Sequence, residues 1–150
     1  MTAAAVRFAQ MEVTLPEGWE ARGYARLADE DERTYGVLHI ANFALPAQVA
    51  DYGGGAVELM GRGHAFISIV EFGPESVGSP LFAATAIPTL TTASFDTARL
   101  QRGLAGHSGA QEFFTVAGRA YCLYVVVGEH LLRWRVVPAV NEVLRNVQLG

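Results

Sequence analysis

Apolar and polar positions alternate at period two through "MEVTLPEGWEARGYARL" (residues 11–27), interrupted at Pro16-Glu17-Gly18, which predicts two short strands. On the first, Met11, Val13 and Leu15 share a face. On the second, Trp19, Ala21, Ala25 and Leu27 face one way and Glu20, Arg22 and Arg26 the other. Such alternation signals a sheet with one buried face. The charged stretch "ADEDER" (28–33) reads as a turn, and "TYGVLHIANFAL" (34–45) returns as a strand, so the pattern predicts an antiparallel hairpin within a meander. Pro46 then suits the first turn of a helix, with Val49, Tyr52, Ala56 and Leu59 at helical spacing through residue 60. Gly53-Gly54-Gly55 weakens that helix by about 1 kcal/mol per glycine and should kink or split it. The run could bare backbone to a phosphate, but the full GxGxxG spacing is not met, so the favoured reading is close approach to a sheet.

"HAFISIVEF" (64–72) is a further strand, followed by a long irregular passage, 73–96, punctuated by Pro74, Pro80 and Pro88. Loops of that length in a compact domain are often functional. "QEFFTVAGRAYCLYVVVG" gives two strands about a turn at Ala117-Gly118. The second is apolar on both faces, which places it centrally in the sheet. The chain closes in a helix beginning near Pro138. Val136, Val140, Val143, Leu144 and Val147 form its apolar stripe, with Glu142 and Arg145 pointing away. The expected architecture is α+β, an antiparallel β-sheet meander covered by helices, in a single domain spanning 1–150.

Composition narrows the chemistry. All eleven basic residues are arginine, so the lysine of a Walker A loop or of a Schiff-base enzyme is missing. The net charge of −4 repels a polyanion, which argues against a nucleic-acid partner. With 51% hydrophobic residues the chain is a folded one, yet its densest apolar run, "AYCLYVVVG", is far short of the ~20 residues of a membrane span. Arg7, Gln10 and Glu12 interrupt any signal-peptide core, so the expected location is the cytoplasm, in keeping with Cys122 as the single cysteine. Set among Tyr121, Leu123 and Tyr124, that thiol reads as core.

The candidate chemistry is sparse. "GHSGA" (106–110) places Ser108 beside His107 with Asp96 upstream, but a nucleophile elbow is G-x-S-x-G, and here Gly109 follows the serine directly. Gly106, Ser108 and Gly109 read instead as turn residues. His39, His64, His107 and His130 show no metal-ligand spacing, and no cofactor is expected. His39, on a strand, should be half-buried and hydrogen-bonded. Glu71, near the end of an apolar strand, needs a partner or a solvent cleft, and Arg119 is its possible mate. A structural ion pair is favoured over a polar spot in a ligand site. In "RWR", Arg133, Trp134 and Arg135 are residue types of binding hot spots, although a Trp packed under the helix start with the arginines in solvent is the commoner outcome.

The opening "VTLPEGW" and the closing "VNEVLRNVQL" resemble the PsbP-like fold, in which an antiparallel sheet is covered by helices and whose known members act mainly as binding or accessory subunits. The resemblance implies architecture and brings no site residues with it. Two functions are therefore expected to compete. One is a non-enzymatic interaction or accessory domain, with a protein partner or self-association through Trp134 and its arginines. The other is a small-ligand-binding domain or cryptic enzyme, with a cleft near Glu71 and His107 and the 73–96 loop as its lid.

Overall fold

The structure, a computed structural model, describes residues 4–27 and 34–150. The turn expected at 28–33 lies outside them. Among the described residues, eight strands and one α-helix follow in the order β1 (Ala4–Phe8), β2 (Met11–Leu15), β3 (Glu20–Leu27), β4 (Thr34–Ala41), β5 (Ala65–Phe72), β6 (Ser108–Val116), β7 (Arg119–Val127), α1 (Arg133–Arg145) and β8 (Val147–Leu149). All the strand pairings are antiparallel. The fold is α+β, with two sheets: β1-β2-β8, and β3-β4-β5-β7-β6.

The N-terminal strands do not form one meander with the rest. Gly18, at φ 89°, turns the chain after Pro16, so β2 pairs with β1 and β8 in the small sheet while β3 begins the large one. The alternation on β2 is nonetheless as expected, with Met11, Val13 and Leu15 all buried. β3 and β4 form the expected hairpin, with Arg22 opposite His39 and Tyr24 opposite Val37. β5 and β7 lie in the interior of the large sheet, side by side, with Ile69 opposite Leu123. Ala117 at φ 52° and Gly118 at φ 74° make the tight turn joining β6 to β7.

Each face of the large sheet is covered differently. Leu38, Ile40, Ile67, Ile69, Leu123 and Val125 pack with β2 and with Val136, Val137, Val140, Val143 and Leu144 of α1 in one hydrophobic cluster. Full burial of such side chains contributes about 1.5–3 kcal/mol each. Ala41, Phe66, Tyr124 and Val126, on the other face, lie under the loop residues Ala56, Val57 and Met60.

That loop corrects the helix expected over 46–60. Only a 3-10 turn forms there, Val57–Leu59. Gly53 and Gly55 adopt φ of 93° and 95°, outside the helical region, and a Cβ on Gly53 would lie 2.8 Å from the Phe66 ring. Close approach to the sheet is indeed what Gly53 provides, but in a loop. α1 starts at Arg133, five residues before Pro138, which sits inside it. Proline's missing N–H removes only one bond near the helix start, and the stripe Val136, Val137, Val140 carries the helix through it.

The 73–96 passage is irregular, as expected, with short 3-10 turns at Pro74–Ser76, Pro80–Phe82 and Thr92–Ser94. It runs along the outer edge of β6: Thr115 N donates to Ala84 O at 2.7 Å, and Asp96 exchanges two 3.0 Å backbone bonds with Gly109. Asn141 of α1 fixes it by bonding Leu90 through both N–H and C=O, at 2.9 and 2.8 Å. An exposed strand edge invites pairing with other chains, and this passage occupies it.

Candidate functional site

Glu71 and Arg119 are brought together. The Arg119 Nη1 lies 2.7 Å from Glu71 Oε2, with the carboxylate side chain 6% exposed and the arginine 41%. Arg26 donates to the Glu71 carbonyl at 2.8 Å, and its guanidinium lies 5.2 Å from the centre of the Phe72 ring. Nearby, the buried Tyr121 hydroxyl has no partner among the described residues, and burial, with the Glu71 charge, pushes it up to about 12. This is an ion pair where β5 ends and β7 begins.

The residues of "GHSGA" go separate ways. Gly106, at φ 81°, makes a turn, but Ser108 and Gly109 do not: both belong to β6 and are buried. A Cβ on Gly109 would lie 3.2 Å from Arg99 O and 3.1 Å from Leu100 Cδ2, so the glycine admits the neighbouring segment rather than a bend. Asp96 spends its carboxylate on Ala98 N at 2.8 Å, and the His107 ring faces Ala105 O at 3.2 Å and Val57 O at 3.0 Å. Ser108, His107 and Asp96 thus assemble no triad. The Ser108 hydroxyl is buried without a partner among the described residues. Ser108→Ala is therefore expected to leave the stability unchanged or to raise it by up to about 1 kcal/mol, since desolvation of a lone hydroxyl is itself costly. Urea unfolding monitored by circular dichroism checks it, and a midpoint clearly below that of the parent contradicts it.

"RWR" reverses the expected arrangement. Arg133 is the half-buried member: its Nε donates to His130 O at 2.8 Å and its Nη1 to Thr92 O and Phe95 O at 3.1 and 3.3 Å. Trp134 is 68% exposed and Leu131, just before the helix, 75%. Arg135 is also exposed. The guanidinium gathers three carbonyls at the helix start, and the indole is left in solvent.

The feature that sequence reasoning missed is a cleft of about 590 Å³ on the loop-covered face, away from Glu71 and from 73–96. Its floor is Tyr124 and Val126 of β7. One wall is the loop carrying Ala50, Asp51, Tyr52, Gly54, Val57 and Glu58, and the other carries Leu100, Gln101, Arg102 and Leu104.

A polar strip on the sheet anchors the first wall. His39 Nε2–H donates to Asp51 O at 3.1 Å and Ser68 Oγ to the same carbonyl at 2.5 Å. The Asp51 carboxylate accepts from the Tyr24 hydroxyl and lies 3.6 Å from Arg26. Burial holds the His39 ring below its ordinary value, which keeps it the neutral donor this contact needs. His39 is thus more deeply buried than expected, 1% exposed, and hydrogen-bonded as expected. Cys122, beside this strip, is core: burial pushes its thiol up to about 11.

The second wall hangs from the floor through Gln101 N, which donates to the Tyr124 hydroxyl at 2.8 Å. An ion pair between Glu58 and Arg102 bridges the two walls, and Glu58 also accepts from Gly55 N at 2.7 Å. His107 does not line the cleft, but its contact with Val57 O ties the chain just beyond the second wall to the first. Concave, largely apolar and furnished with a few fixed polar groups, the cleft has the size and make-up of a small-molecule site. Among the described residues no three His, Cys, Asp or Glu side chains form a metal-binding group, and no helix is long and apolar enough to cross a membrane.

A scan against protein-family models finds no match, and comparisons with curated proteins and with solved structures find none either.

Proposed function

We propose that the chain is a non-catalytic binding domain for a small, largely apolar ligand, held in the cleft between residues 50–58 and 100–104. The observation that carries this reading is the cleft itself: about 590 Å³, floored by Tyr124 and Val126, with its walls bridged by Glu58 and Arg102. The resemblance to PsbP-like proteins, which act mainly as binding or accessory subunits, supports a role without turnover. The ligand site thus sits on the face opposite the one expected from Glu71, and the 73–96 passage serves as an edge cover rather than its lid.

A second reading, interaction with a protein or with another copy of the chain, is favoured by one observation. Leu131 and Trp134 stand 75% and 68% exposed at a helix start that Arg133 fixes. Tryptophan in that setting is a typical hot-spot residue.

Titration with an environment-sensitive apolar dye separates the two. Leu104→Arg, which fills the cleft from its partly exposed rim, should weaken dye binding at least about tenfold, equivalent to about 1.4 kcal/mol. Trp134→Ala should bind dye like the parent. Equal affinity of the parent and Leu104→Arg overturns the cleft reading, and light scattering that shows self-association abolished by Trp134→Ala supports the second.

A further inference from the structure

We propose that the ligand of the cleft is a neutral molecule, mostly apolar, bearing a single hydrogen-bond acceptor such as a ketone, ester or amide carbonyl that receives the Tyr124 O–H. The inference rests on the ligand-binding reading above and adds the chemical class. Its ground is the account of polar groups on the walls. The Asp51 carboxylate is engaged by the Tyr24 hydroxyl and Arg26, and the Glu58 carboxylate by Gly55 N and Arg102. The Tyr52 ring meets Tyr124 edge-on, 5.6 Å between centres, adding an aromatic surface. A charged ligand would have to leave water for a site whose ionic groups are already matched with one another, which is unfavourable without a partner.

Tyr124 is different. Its hydroxyl accepts from Gln101 N at 2.8 Å, while its own hydrogen meets no acceptor among the described residues. The residue is 2% exposed and floors the cleft, so an acceptor for that hydrogen has to come from whatever occupies the cleft. Burial raises the phenol against the opposing effect of the Gln101 N–H, so it remains protonated and a donor. A buried donor lacking its acceptor, on the floor of an apolar cleft, selects a ligand that supplies one. Val57, Leu100, Leu104 and Val126 around it select hydrocarbon for the remainder.

Three probes of matched shape test this by fluorescence titration: acetylnaphthalene, its hydrocarbon isostere isopropenylnaphthalene, and naphthoate. The parent should bind the ketone about 3- to 10-fold more tightly than the hydrocarbon, the range of one net hydrogen bond. Naphthoate should bind more weakly than either. In Tyr124→Phe the ketone's advantage should vanish, a ratio that any general loosening of the Gln101 wall leaves unaffected because both neutral probes share it. The carbonyl stretch of the bound ketone, read by infrared spectroscopy on the parent alone, should be red-shifted, which keeps the test decisive if the variant does not fold. Ketone and hydrocarbon binding equally, naphthoate binding best, an unshifted carbonyl, or a preference that survives Tyr124→Phe each overturns the ligand class while leaving the cleft as a binding site. Failure of all three probes to bind the parent overturns the cleft reading itself.

Discussion

Leu123→Ala is expected to destabilise the chain by about 2–5 kcal/mol, the range for large-to-small changes at fully buried sites. Leu123 is 1% exposed, lies on β7 opposite Ile69, and belongs to the cluster that joins the large sheet to β2 and α1. Strands on both sides and a helix above leave little freedom for the site to collapse around the lost atoms. In a chain of this size each kcal/mol lowers the melting temperature by about 2–4 °C. Calorimetry should therefore show a drop of roughly 4–20 °C, and a melting temperature within a degree of the parent would mean that the β5–β7 pair is not the centre of the core.

Gly128→Ala is expected to cost as much through the opposite fault. Gly128 is buried just after β7, donates its N–H to His64 O at 2.9 Å, and a Cβ there would overlap the carbonyl oxygen of Gly61. Backbone cannot swing aside as a side-chain tip can. Relief requires the 61–64 turn to move, and that turn sets the entry of β5. Overpacking of this kind costs about 1–3 kcal/mol, and loss of the His64 bond adds about 1. Gly118→Ala serves as the control: at φ 74° but with open space around it, it should cost only about 1 kcal/mol. Urea midpoints for the pair check this, and equal losses would show that conformation rather than the clash decides.

The parts of the fold that could be read from sequence are those where burial dictates residue type. β5 and β7 are apolar on both faces because both are covered, and β2 alternates because one of its faces is not. Glu71 could be matched with Arg119 because a carboxylate on such a strand needs a counter-charge. β1 was missed since it is largely exposed and its pattern carries little information. The spacing of Val49, Tyr52, Ala56 and Leu59 imitates a helix, but the residues serve a loop whose shape is set by glycine φ angles and by the Phe66 ring beneath. At α1, Pro138 imitates a helix start, although the apolar stripe already begins at Val136 and the helix at Arg133.

The cleft was illegible for a different reason. Its walls come from two irregular segments, joined by Glu58 and Arg102 at a separation of 44 residues; the first carries a misleading helical spacing and the second none. What they share is a place on the sheet, which only the strand order reveals. The traces present in sequence were Gly53–55 and a tyrosine, Tyr124, set in an apolar strand.

The pairing of β2 with β8 also orders the assembly of the chain. The β1–β2, β3–β4 and β6–β7 ladders each join strands only a few residues apart in sequence and cost little loop-closure entropy. Met11 meets Leu149 only after the whole intervening chain has been laid down between them. Contacts of such separation slow folding, since their entropy must be spent before the pairing returns anything. Closure of β8 onto β2 is thus the most costly of these pairings in loop entropy, and β8, three residues long, brings few bonds to hold it.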